Sequence, residues 1–74
     1  MLTERELQII ELIAKGYSND YIMKTLYISK STLRSHIHNI YIKFKLLQPN
    51  ISVDSSMRVR AVLYYLKEFK NVQL

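Results

Sequence analysis

The chain has 74 residues, one Gly, one Pro and no Cys, and it carries 11 Lys and Arg against 6 Asp and Glu, a net charge of +5. That length allows one domain with a modest core, and the missing cysteines exclude disulfide stapling, thiolate catalysis and cysteine-ligated zinc. No apolar run approaches the roughly 18 residues of a membrane span and no signal-peptide pattern opens the chain, so a cytoplasmic protein with no membrane partner is expected.

Four helices are predicted, at about 3–15, 18–26, 30–45 and 55–70, making an all-α four-helix bundle over a single domain, 1–74. The first follows Thr3, a natural N-cap with Glu6 three residues later, the pattern of a capping box. Leu7, Ile9, Ile10, Leu12, Ile13 and Ala14 cover more than half of its circumference, so it is expected to pack against more than one neighbour. Gly16 ends it. Ser18 caps the second helix, with Ile22, Met23 and Leu26 as its apolar stripe, and Ser29 caps the third only a few residues after the second ends. Two short helices so joined form a helix-turn-helix, here over 18–45.

Charge concentrates in this region. Residues 21–45 hold Lys24, Lys30, Arg34, Lys43 and Lys45 and no acid, whereas the remaining chain balances six cations against six acids. Such an excess is either a solvated face or a footprint for a polyanion. On the third helix, at about 100° per residue, Leu33, Ile37, Ile40 and Phe44 fall on one narrow core side. Ser31, Arg34, Ser35, His38, Ile42 and Lys45 lie opposite, flanked by Thr32, His36, Asn39 and Lys43. A helix that needed only to be soluble would usually mix Glu with Lys, because opposite charges four residues apart support it. Acids would repel phosphate, so their absence fits a helix lying against DNA.

A loop is predicted over 46–54, around the one proline. In the fourth helix Val59, Val62, Leu63, Leu66 and Phe69 form the stripe expected to face the core, with Asp54 or Ser55 near the cap. Met57, Ala61, Tyr64 and Tyr65 lie elsewhere, which is more apolar surface than one buried face needs.

Several segments taken in order carry a resemblance: LTERE at 2–6, GYSN at 16–19, ISKSTLRSH at 28–36, then Asn39, Ile40 and Lys43, and finally Arg58, Ala61 and Val62. Together they resemble the LuxR/GerE-type helix-turn-helix family of bacterial transcription regulators, over essentially the whole chain. The run RVRAVLYYL after an extended loop is similar to a subset of response-regulator output domains. Met23 stands where the family usually has Ala, Leu33 where it usually has Val, and the turn before Ser29 lacks the glycine of many helix-turn-helix proteins.

The resemblance implies sequence-specific binding of double-stranded DNA, with the third helix in the major groove. Arg34, Ser35 and His38 match the base-reading positions. Ser18, Ser29, Lys30, Ser31, Thr32, Lys43 and Lys45 would contact phosphates. A homodimer through residues 55–70 is implied, with Met57, Ala61, Tyr64 and Tyr65 as interface candidates, and RNA polymerase is a further partner. With the motifs beginning at Met1, the chain reads either as a small regulator or as the output domain of a longer receiver-containing protein.

Other chemistries find little support. His36 and His38 are two residues apart and point some 200° from each other on a helix, so they do not form a metal site. Glu4, Glu6 and Glu11 have cap and surface roles, and no nucleophile–base–acid order or glycine-rich phosphate loop is present, so neither an enzyme nor a cofactor is expected. The six tyrosines are spread along the chain rather than gathered on a base-stacking platform, and core packing and a dimer contact account for them better. Two other readings stay open: a promoter reader like region 4 of a sigma factor, and a protein-interaction module whose fourth helix binds a regulatory partner, with DNA affinity incidental.

Overall fold

In the computed structural model, residues 1–47 and 55–74 are described. They form four helices, α1 (Glu4–Ala14), α2 (Asn19–Leu26), α3 (Lys30–Lys43) and α4 (Ser55–Phe69). None is long and apolar enough to cross a membrane.

Three helix starts follow the hydroxyl residues that the sequence places there. Thr3 Oγ1 accepts from the Glu6 N–H at 3.1 Å while Glu6 Oε1 accepts from the Thr3 N–H at 2.9 Å, so the capping box is complete. Ser18 Oγ accepts from the Tyr21 N–H at 3.2 Å, and Ser29 Oγ from the Thr32 N–H at 3.1 Å. Each satisfies an amide that the helix itself leaves unpaired, worth about 0.5–2 kcal/mol. The expected cap at Asp54, and most of the loop expected over 46–54, lie outside the described residues.

The helix ends share a second device. After α1, α2, α3 and α4 the chain passes through left-handed backbone at Gly16 (φ 90), Tyr27 (φ 55), Lys45 (φ 59) and Asn71 (φ 55). The next amide then folds back onto a free carbonyl of the final turn. Tyr17 N–H donates to the Leu12 carbonyl at 3.2 Å, Ile28 to Met23 at 3.1 Å, and Leu46 to Tyr41 at 2.9 Å. Gly16 adopts this conformation without a steric penalty, whereas at Tyr27 and Lys45 a Cβ meets the following carbonyl, a cost of about 1–2 kcal/mol each. Lys45 is thus part of the turn that ends α3, not of the helix. Tyr27 sets the bend between α2 and α3, doing without glycine what glycine does in many such turns.

The core is built from Ile9, Ile10 and Ile13 of α1, Ile22 of α2, Leu33, Ile37, Ile40 and Tyr41 of α3, Phe44, and Met57, Ala61 and Tyr65 of α4. Helix α1 touches both α3 and α4, as its broad apolar arc requires, while α2 packs on α3. Burying each large aliphatic side chain contributes about 1.5–3 kcal/mol, and this core offsets the chain entropy of a small domain.

The buried face of α4 differs from the sequence expectation. Met57, Ala61 and Tyr65, expected at a dimer interface, are buried at 0%, 1% and 2% exposure within the chain's own core. Val59 and Leu63, expected in the core, are 59% and 45% exposed. Helix α4 is apolar on two sides, and each side satisfies helical periodicity. Ala61 at the centre of the buried stripe lets the helix lie close to its neighbours, with Met57 and Tyr65 filling the space one turn to either side. Burial and the nearby Glu11 carboxylate push the Tyr65 phenol up to about 12, so it is neutral in the fold. Tyr64 stays partly exposed, its ring 4.4 Å from that of Phe44.

The Tyr27 side chain is 94% exposed, so replacing it removes no packing. Tyr27→Gly is expected to relieve about 1 kcal/mol of backbone strain and to raise the thermal midpoint by about 4–8 °C. Calorimetry of the two proteins checks this; an unchanged or lower midpoint would show that the strain relieved does not exceed the unfolded-state entropy that glycine adds.

Candidate nucleic-acid interface

Leu33, Ile37, Ile40 and Tyr41 turn α3 inward, and its opposite side is open to solvent. Lys30, Ser31, Thr32, Arg34, Ser35, His38, Asn39 and Ile42 are all exposed. The exposed side therefore combines two cations, three hydroxyls, an imidazole and an amide, with no acid in the helix. Ile42, at 50% exposure, stands among them with no evident partner.

Both helix starts on this side are hydroxyl-rich. Ser29 Oγ donates to Thr32 Oγ1 at 2.9 Å and lies 3.2 Å from Ser31 Oγ, so the three hydroxyls form one exposed cluster at the start of α3. Ser18 stands exposed at the start of α2. The serines that cap these helices are thus also the ones expected at phosphates.

Lys43 is placed otherwise than expected. Its Nζ lies 2.7 Å from Glu6 Oε1, and Glu6 is buried to 3% exposure. Burial alone would push the Glu6 carboxyl up, but the Lys43 ammonium and the bonds to Thr3 outweigh it and hold it below the ordinary glutamate value. Lys43 serves the fold by neutralising a buried carboxylate, while the residue itself remains exposed. Lys24, Lys30, Arg34 and Lys45 are exposed as well.

The structure also brings in residues that sequence reasoning did not select. A hollow of about 460 Å³ is lined by Asn19 at the start of α2, Arg34, Ser35, His38 and Tyr41 of α3, and Arg58 of α4. Arg58 Nη1 donates to Asn19 Oδ1 at 2.8 Å and Nη2 to the Tyr17 carbonyl at 3.2 Å. No local signal marks this long-range pairing; the one hint was Arg58 in the last matched segment. The tyrosines divide as well. Tyr41 and Tyr65 are core residues, but Tyr17 and Tyr21 stack on each other in solvent with centroids 4.2 Å apart. Among the described residues no group of three or more His, Cys, Asp or Glu could hold a metal ion.

A family model for bacterial regulatory proteins of the luxR family, GerE, matches residues 1–49, which include α1, α2 and α3. The chain belongs to the luxR family. As a helix-turn-helix domain of that family it is a DNA-binding domain of a transcription regulator, and the family is regulatory rather than catalytic. Its relatives include the HTH-type transcriptional regulator MalT of Yersinia pestis (strain Pestoides F) and that of Yersinia enterocolitica serotype O:8. Each is 35% identical over 65 residues, covering 88% of this chain and 7% of the relative. The chain thus spans a small fraction of their length. No solved structure matches it.

The Glu6 carboxyl has a lowered folded-state value, so its pairing stabilises the fold above the ordinary glutamate pKa of about 4.3 and is lost as pH falls through the folded value. In this luxR-family domain, Glu6→Gln is expected to lower stability at neutral pH and to flatten the acid limb below about pH 4.3. Urea unfolding from neutral to acid pH checks this. An acid limb as steep as that of the unaltered protein would place the responsible carboxyl elsewhere.

Proposed function

We propose that the domain binds double-stranded DNA sequence-specifically, with α3 in the major groove. The observation that carries this is the exposed side of α3, where donors and cations stand together without one acid. Arg34, Ser35 and His38 face the base edges. A guanidinium can bond bidentately to guanine, worth about 1–3 kcal/mol of discrimination. Lys30, Lys45 and the hydroxyls of Ser18, Ser29, Ser31 and Thr32 meet the phosphates and fix the docking. Lys43, occupied by Glu6, has no part in this set. The domain acts where the chromosome lies, in the bacterial cytoplasm.

Two copies pair through α4, so that two α3 helices enter major-groove half-sites about one helical turn apart, or a multiple of it. With Met57, Ala61 and Tyr65 inside the fold, the pairing surface is centred on the exposed Val59 and Leu63, bordered by Tyr64 and by Val62 and Leu66, which are half-buried against the core. Arg60 and Lys67 stand one turn to either side of Leu63, so like charges face each other when two copies meet. Salt then acts in opposite directions, weakening the DNA contact and easing the protein contact.

Binding of a random-sequence duplex is expected to fall steeply with added salt, and Arg34→Ala is expected to lose both affinity and preference for an operator. Fluorescence anisotropy at two salt concentrations checks this; salt-insensitive binding, or an Arg34→Ala variant as selective as the unaltered protein, would contradict it. Leu63→Asp is expected to abolish self-association while leaving the monomer's random-duplex binding in place. Sedimentation that shows an unchanged dimer would move the pairing surface off this stripe.

A further inference from the structure

Arg58 has no role in the binding surface just described, although it lines the same hollow as Arg34 and His38. We propose that it is a positioning residue for DNA binding. From α4, its guanidinium holds the α1–α2 turn and the first residue of α2 in register with α3, so that the start of α2 and the exposed side of α3 act as one surface. This rests on the DNA-binding reading above.

The need for such a tether follows from how little else fixes α2. The helix has eight residues, Ile22 is its one fully buried side chain, and Met23 and Leu26 are only partly buried against the core. The turn that leads into it contains Gly16, the residue with the freest backbone in the chain, and its aromatic brace, the Tyr17–Tyr21 stack, lies in solvent. Arg58 supplies what is missing. One planar fork bonds the Asn19 side chain and the Tyr17 carbonyl together, on either side of the Ser18 cap. A guanidinium has five donors, so three N–H groups remain after these two bonds, and none of the residues lining the shared hollow is acidic. Both bonds go to neutral acceptors, so the tether itself neutralises no charge, although Asp20 lines a neighbouring hollow beside Arg58. It also joins the helix proposed for pairing to the helix start proposed for phosphate contact through a single side chain.

The test uses Arg58→Met, Arg58→Lys and Asn19→Ala, each checked for helical content and thermal midpoint, with affinity for a random-sequence duplex as the main readout. Arg58→Met is expected to bind about tenfold more weakly while folded. Asn19→Ala is expected to lose less, and the double variant to bind no more weakly than Arg58→Met alone, because both remove the same tether. Arg58→Lys is expected to stay well below the unaltered protein, since one ammonium cannot reproduce the fork. A purely structural role would lower the midpoint and leave the affinity of the folded protein unchanged. That result, additive losses for Arg58 and Asn19, or full recovery by Arg58→Lys, would each overturn the proposal. If Arg58→Met does not fold, Arg58→Lys, Asn19→Ala and their double variant decide by the same criteria. An unaltered protein that fails to bind duplex DNA would overturn the DNA reading itself, a failure distinct from any confined to the Arg58 variants.

Discussion

A single carboxylate oxygen connects the start of the first helix to the end of the third. Glu6 Oε1 accepts from the Thr3 amide at 2.9 Å and from the Lys43 ammonium at 2.7 Å, while the side chain itself is buried. Burying an ionised carboxyl is tolerable only where such partners replace water, so the position of Lys43 relative to α1 is fixed with the cap. From this follows the orientation of α3. With its last turn held by Glu6 and Leu33, Ile37 and Ile40 inserted in the core, the helix cannot rotate, and its polar side must face outward.

The resulting division of labour separates two kinds of positive charge. Lys43 is paired with Glu6 and Arg58 is bonded across to the α1–α2 turn, whereas the side chains of Lys24, Lys30, Arg34 and Lys45 are exposed without a role in the fold. The net charge of +5 therefore overstates what a polyanion would meet on α3, and the local absence of acids matters more than the sum. Helix α4 shows a similar division between its sides. One apolar stripe closes the core, and the other remains available for a partner.

Much of this was legible in the sequence because the signals are local. Thr3 with Glu6, Ser18 and Ser29 mark helix starts through short-range chemistry, and the side of α3 that carries Arg34, Ser35 and His38 follows from a single apolar stripe. Where two stripes compete, as on α4, periodicity does not choose. Packing chose the stripe centred on Ala61, and the expectation for Met57, Ala61 and Tyr65 was wrong for that reason. The pairings of Lys43 and Arg58 leave no local signal because their partners are 37 to 41 residues away in the chain. The left-handed Tyr27 escaped notice because the usual sign of that conformation, a glycine, is missing from its place.

The most direct test is residue-by-residue mapping of the free protein against a duplex of random sequence by amide NMR. Binding through α3 requires shift changes centred on Ser18, Asn19, Ser29 to Ser35 and His38, with the Val59 and Leu63 side of α4 little affected at low occupancy. Changes confined to α4, with the exposed side of α3 silent, would contradict DNA binding through α3 and leave its basic surface without a ligand.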